Sequence, residues 1–158
     1  MAQTNEPLLS VKGLKQYFPV SKKFTVRAVD NISFDIYPGE TYGLVGESGS
    51  GKSTTGRSII RLYDPTEGTI LFNGEDISKK LTAKQEKMLR SDMQMVFQDP
   101  MASLNPHKKI LDTIAMGPDA HHPHMDQKER VERVSKMMEM VGLNPAYMNR
   151  YPNQFSGG

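Results

Sequence analysis

Gly46, four free positions, Gly51, Lys52 and Ser53 spell a complete phosphate-binding loop, and no other stretch constrains the fold of this chain as tightly. With glycine near 7% of residues, chance produces that pattern in roughly one chain of this length per hundred or fewer. The flanks agree with it. Thr41–Val45 reads as a short buried strand and Lys52–Tyr63 as a helix, the order in which converging backbone N–H groups and a helix N-terminus meet a polyphosphate. Lys52 is placed to reach the β- and γ-phosphates, and the Ser53 hydroxyl to ligate magnesium. The competing reading, a Gly/Ser loop that merely caps a helix, leaves the lysine and serine spacing unexplained. The chain is expected to bind a nucleoside triphosphate.

A length of 158 residues is about one domain, enough for a core yet short for a complete nucleotide hydrolase. The net charge of +2 is nearly balanced and no basic stripe interleaved with aromatics occurs, so nucleic acid is not the expected partner. Cysteine is absent, which excludes disulfides and thiolate metal sites. No apolar run approaches the ~18 residues of a membrane span, and Met1–Glu6 is too polar for a signal peptide. A soluble cytoplasmic chain is expected, with any membrane association through a partner.

Leu8–Phe18 reads as a strand, Ser21–Lys23 as a polar turn, and Val26–Tyr37 as a half-buried strand with Ile32, Phe34 and Ile36 on one face. Asp64–Gly68 turns the chain into a strand at Thr69–Phe72, and Asn73-Gly74 turns it again. Thr82 with Gln85 forms a capping box for a helix over Leu81–Arg90, and Met93–Phe97 is a short apolar strand. Composition then changes: ten of the 11 methionines lie at or beyond Met88. Lys108–Met116 reads as a helix. A stronger one is capped by Asp126, carries the stripe Val131, Val134, Met138 and Val141, and stops at Gly142. A strand-rich part to about Gln98 is thus followed by a helical part, 99–158.

Gln98 follows the apolar strand, at the edge where α/β ligands collect. Its amide could coordinate magnesium, position an attacking water, or sit in a solvated loop. Asp99 offers the rival of an acid ending a metal-holding strand. Tyr17 and Phe18 could stack on a base or fill the core. His121, His122 and His124 lack helical metal spacing and read as a solvated loop. The methionine-rich stretch reads as adaptable core, or as a surface that docks a partner helix.

The chain ends Tyr151-Pro152-Asn153-Gln154-Phe155-Ser156-Gly157-Gly158. With the phosphate loop and the Gln98 segment, this resembles an ATP-binding cassette subunit interrupted within the family signature LSGGQ. The tract Phe97–Pro106 is similar to the Q-loop of ATPases that power oligopeptide, dipeptide and nickel importers, and Phe155 in place of leucine fits that group. The resemblance implies an α/β P-loop nucleotide-binding domain, its N-terminal portion, with an antiparallel β region and a helical subdomain. It implies ATP and Mg²⁺ as cofactors. Phe18, or failing that Tyr17, would stack on adenine. Gly46, Glu47, Ser48, Gly49, Ser50, Gly51, Lys52, Ser53 and Thr54 would hold phosphates and metal. Gln98 would link the metal site to a membrane subunit, with Lys52 and Gln98 the groups nearest the chemistry.

By the same resemblance, Ser156, Gly157 and Gly158 would face ATP on a second, related ATPase subunit. The loop 99–106 and nearby helices would receive a coupling helix from transmembrane permease subunits, which places the chain at the cytoplasmic face of the cell membrane as a peripheral component. The family's magnesium-holding Asp, catalytic Glu and switch His follow the signature and have no counterpart in this sequence. The chain is therefore expected to be truncated, to bind ATP and to hydrolyse it negligibly, and to expose an apolar sheet edge. Two alternatives stand beside this: a soluble ABC-type ATPase not coupled to transport, and an unrelated P-loop kinase or GTPase, although the guanine-reading Asn-Lys-x-Asp is absent.

Overall fold

The computed structural model describes residues 6–99 and 103–155. The chain divides into two compact units, Met1–Met95 and Val96–Gly158.

The first unit is organised by two long strands, β1 (Leu9–Ser21) and β2 (Phe24–Ile36), joined by a turn at Lys22-Lys23 and paired antiparallel. Helix α1 (Lys52–Ile59) follows, then β3 (Glu67–Phe72), β4 (Glu75–Asp76) and helix α2 (Ala83–Asp92). The sheet runs β2-β1-β3-β4 and every pairing is antiparallel. The hairpin from β3 to β4 turns on Asn73 and Gly74, both at positive φ (49° and 77°), which is the twist-matched geometry an Asn-Gly pair favours.

The unit's core is drawn from β1 (Leu9, Val11, Leu14), β2 (Val29), β3 (Ile70, Phe72), Ile77 and Leu89 of α2. Leu14 and Ile70 are fully buried, and each such side chain contributes about 1.5–3 kcal/mol through removal from water. Between Lys12 and Lys15 the pairing of β1 with β3 slips, and Gly68 lies there with φ +100°. A Cβ at Gly68 would stand 2.6 Å from the Gly13 carbonyl oxygen, so only glycine lets the strands approach so closely.

Helix α1 begins at Lys52 as the spacing predicts, but it ends at Ile59 rather than Tyr63. The cause is Arg61, whose backbone turns left-handed (φ 61°) while its buried guanidinium donates to the carbonyls of Ile77 and Lys79 and to Asp64 Oδ1 at 2.6 Å. The capping box that opens α2 is present: the Gln85 N–H donates to Thr82 Oγ1 (3.3 Å) and the Thr82 N–H to Gln85 Oε1 (3.1 Å).

Two expected strands are absent. Thr41–Val45 and Met93–Phe97 carry no ladder, with Val45 94% and Val96 89% exposed. Their composition suits burial on both faces, yet a strand exists only where a neighbour takes its N–H and C=O groups, and no described strand pairs with either segment.

In the second unit, α3 (Ile110–His121) packs on α4 (Gln127–Met140) through Leu111, Ala115, Val134 and Met138. Asp126 caps α4 by accepting the Glu129 N–H at 2.8 Å. At the other end the Gly142 N–H reaches the Glu139 carbonyl (3.0 Å) and the Leu143 N–H that of Met138 (2.8 Å), a Schellman stop. Val141 falls just beyond the helix and is 71% exposed, so the apolar stripe closes at Met138. Arg130 grips both helices, its Nε reaching both Asp119 oxygens (3.1 Å) and a terminal nitrogen Asp112 Oδ1 (3.1 Å). These acceptors hold its pKa above the ordinary arginine value against the opposing pull of desolvation. Helix α3 has no side-chain cap; instead its Ile110 and Leu111 N–H groups donate to the carbonyls of Arg150 (2.9 Å) and Met148 (2.8 Å).

The exposed apolar side chains of Thr41–Val45, with Val96 and Phe97, predict self-association. In size-exclusion chromatography with light scattering the chain should run as oligomers at micromolar concentration, and a Val45→Lys, Val96→Lys double variant should shift it toward monomer. A monodisperse monomeric parent would contradict this.

Candidate phosphate-binding site

The loop from Gly46 to Gly51 lies on the surface, with a tight turn at Ser48-Gly49 and the Ser50 N–H donating to the Glu47 carbonyl at 3.2 Å. Gly51 is the N-cap of α1 in a left-handed conformation (φ 88°). A Cβ there would sit 2.2 Å from the Ala28 carbonyl oxygen, a rigid backbone atom of β2. Any side chain at this position would therefore force the start of α1 off the sheet. The sequence signals the glycine; that Ala28 is the obstacle appears only in the fold.

Nothing caps the start of α1 with a side chain, and its first turn carries no acid. The first N–H groups of the helix have no intrahelical partner, and the positive end of the helix dipole faces the loop. Thr55 closes the first turn, its N–H and Oγ1 both reaching the Gly51 carbonyl (2.8 and 3.0 Å). Lys52 folds back across the loop, its Nζ donating to the Gly46 carbonyl (2.7 Å), the Glu47 carbonyl (2.5 Å) and Ser50 Oγ (3.2 Å). An ammonium has three N–H donors, and all three are spent on this arc of oxygens. Ser53 is exposed and Thr54 half-buried beside it.

Tyr17 and Phe18 lie in β1, and both are half-buried, so neither is a core residue. The Tyr17 hydroxyl donates to Asp30 Oδ1, and the Arg27 guanidinium sits 5.4 Å from its ring centre. Phe18 meets the edge of Tyr63 at 5.2 Å. Tyr63 was not foreseen from the sequence, because it belongs to the turn after the shortened α1. Also unforeseen are Gln16 and Ser58, two buried polar residues that meet where α1 crosses β1. A cavity of about 840 Å³ lies elsewhere in this unit, lined among others by Arg61, Lys79, Leu81, Leu89 and Arg90.

Gln98 belongs to the second unit, where it is exposed in a bend rather than at the end of a strand. Asp99 beside it accepts the Ser103 hydroxyl on its carbonyl oxygen at 2.9 Å. Pro100, Met101 and Ala102 of the 99–106 loop lie outside the described residues, as do Ser156, Gly157 and Gly158. Phe155, just before them, meets Tyr147 edge-on at 6.1 Å, and Arg150 covers the Tyr147 ring at 3.8 Å. His121, His122 and His124 are all exposed around the end of α3.

Among the described residues no helix is long and apolar enough to cross a membrane. Comparison with known proteins gives consistent results. The ABC transporter family pattern matches residues 29–158. The oligopeptide transport ATP-binding protein OppF of Bacillus subtilis is 56% identical over 97% of this chain and 50% of its own length. The dipeptide transport ATP-binding protein DppF of Lactococcus lactis is 46% identical over 96% of the chain and 49% of its own length. The chain thus spans about half the length of the curated relatives it matches. Among solved structures, an ATP-binding cassette dimer in a post-hydrolysis state with ADP and Pi superposes with a TM-score of 0.78 at 26% identity, over 94% of this chain and 63% of that one.

The Tyr17–Asp30 hydrogen bond generates a pH prediction. Donation to Asp30 raises the Tyr17 phenol above its ordinary value near 10. The bond's contribution to stability is therefore full below that ordinary value and is lost as pH rises through the raised one. Spectrophotometric titration of phenolate should show a late-ionising component that disappears in Tyr17→Phe, and an unchanged curve in that variant would count against the bond.

Proposed function

The chain belongs to the ABC transporter family, and from that premise we propose that it is the ATP-binding, energy-coupling part of an importer for oligopeptides or dipeptides. The observation that carries the reading is Lys52 seated among the oxygens of its own loop at an uncapped helix N-terminus. An arriving triphosphate offers that ammonium anionic acceptors in place of neutral carbonyls, which adds attraction between full opposite charges. The backbone N–H groups at the start of α1 take the remaining phosphate oxygens.

Ser53 fits magnesium. The ion keeps several waters and takes one or two protein ligands beside the phosphates, and an exposed hydroxyl at the first turn of the helix is such a ligand. There Ser53 would help hold the ion, which would supply neutralisation of the phosphate charge. Phe18, or failing it Tyr17, stacks on the adenine. Gln98 senses the metal site on behalf of the permease, Ser156–Gly158 serve ATP on a second ATPase subunit, and the 99–106 loop with the helical unit receives the permease. Docking of this kind sets the chain peripherally on the cytoplasmic face of the membrane.

This 158-residue chain by itself binds ATP without turning it over appreciably. The roles proposed for Lys52, Ser53 and Thr54 are to bind and orient phosphate and metal, and positioning alone leaves the attacking water unactivated. Isothermal titration should detect Mg·ATP binding that Lys52→Ala weakens at least about tenfold. Phosphate release should stay well below the ~1 s⁻¹ of working enzymes. An unchanged Lys52→Ala titration would sink the binding reading, and turnover at that rate would sink the second.

A further inference from the structure

Helix α1 is fixed to the β1–β2 ladder at two places. At its start Gly51 rests on the Ala28 carbonyl. Two turns on, the Ser58 hydroxyl shares its proton between the Thr54 carbonyl (2.9 Å) and Gln16 Oε1 (3.1 Å). Gln16 and Ser58 are both buried, and the neighbouring core residues Leu14 and Val29 are apolar. A buried polar pair differs from an apolar contact in one respect: it is satisfied in a single relative placement of its two elements and costly in every other.

The pair's location gives that property a use. Gln16 directly precedes Tyr17 and Phe18, and β1 changes register on both sides of it. The chain emerging from α1 is stitched to the same stretch. The Tyr17 N–H donates to Thr66 Oγ1 (2.9 Å), the Thr66 N–H to the Lys15 carbonyl (2.9 Å), and Tyr63 meets Phe18. One end of α1 therefore presents the phosphate loop, while the other is keyed to the strand that carries both aromatics.

We infer that the Gln16–Ser58 contact is a positioning device that sets the separation between the base-stacking aromatic and the phosphate loop, so that a nucleotide is held at both ends at once. The inference rests on the nucleotide reading above. Neither residue touches the ligand; each acts through the element it holds. Loss of the contact lets α1 pivot on β1 about its Gly51 anchor while the loop's own bonds, Lys52 to Gly46 and Glu47 and Thr55 to Gly51, stay intact. Phosphate binding survives and base binding is lost.

The test compares Mg·ATP with Mg·tripolyphosphate, which has no base, on the chain and on Ser58→Ala, Gln16→Met and Phe18→Ala, with circular dichroism recording the fold of each. Ser58→Ala, the milder change, guards against failure of Gln16→Met to fold. Each variant should lose about tenfold in ATP affinity, one hydrogen bond's worth, with tripolyphosphate affinity held within about twofold. In the Phe18→Ala background, Ser58→Ala should cost nothing further for ATP, because the two act on one step. Equal losses for both ligands, additive effects with Phe18→Ala, or no change in either would overturn the positioning role alone. A parent chain that binds neither ligand overturns the nucleotide reading and this inference with it.

Discussion

The tightest constraint in the first unit is the near-contact between Gly51 and the Ala28 carbonyl oxygen. It joins residues more than twenty positions apart and admits no side chain. Because Gly51 is also the N-cap of α1, the same contact fixes where the helix starts and where its uncapped N–H groups point. The loop owes its shape to that anchor rather than to packing of its own, for it is exposed from Gly46 to Ser50. Lys52 supplies the remaining closure, bridging the loop's oxygens from the helix side. A surface loop held at its exit by backbone sterics and across its mouth by one cation can exchange those oxygens for a ligand's without disturbing the core.

What was legible in the sequence was what is decided locally. The capping box of Thr82 and Gln85, the cap of Asp126, the Asn73-Gly74 turn and the Gly142 stop each depend on residues a few positions apart, and each is present. The alternation of Ile32, Phe34 and Ile36 likewise marks β2, and all three pack on the core. The glycine-rich loop is legible for the same reason, since Gly46, Gly49, Gly51 and Lys52 lie within seven positions.

What was not legible is decided at a distance. Thr41–Val45 and Met93–Phe97 have the composition of buried strands, but ladder formation is a property of pairs and neither has a partner among the described residues. Arg61 shortened α1 through carbonyls sixteen and eighteen positions away. Gln16 and Ser58 are 42 residues apart, and each alone reads as an ordinary polar residue on a strand or helix. Tyr17 and Phe18 read as base-stacking or core residues; both are half-buried, and the approach of Arg27 and Tyr63 shows how each ring is braced.

The main-chain capping of α3 has a topological meaning. Because the first N–H groups of that helix are taken by the carbonyls of Met148 and Arg150, the segment from Ile110 to Arg150 closes on itself, its entrance and its exit lying side by side. A lobe with such a pinched neck is insulated from length changes at its far tip: the exposed bend that carries His122 and His124 could lengthen or shorten without being felt at the neck. Variation in how such a lobe meets its surroundings can then be confined to one apex, leaving the neck through which the polypeptide enters and leaves untouched.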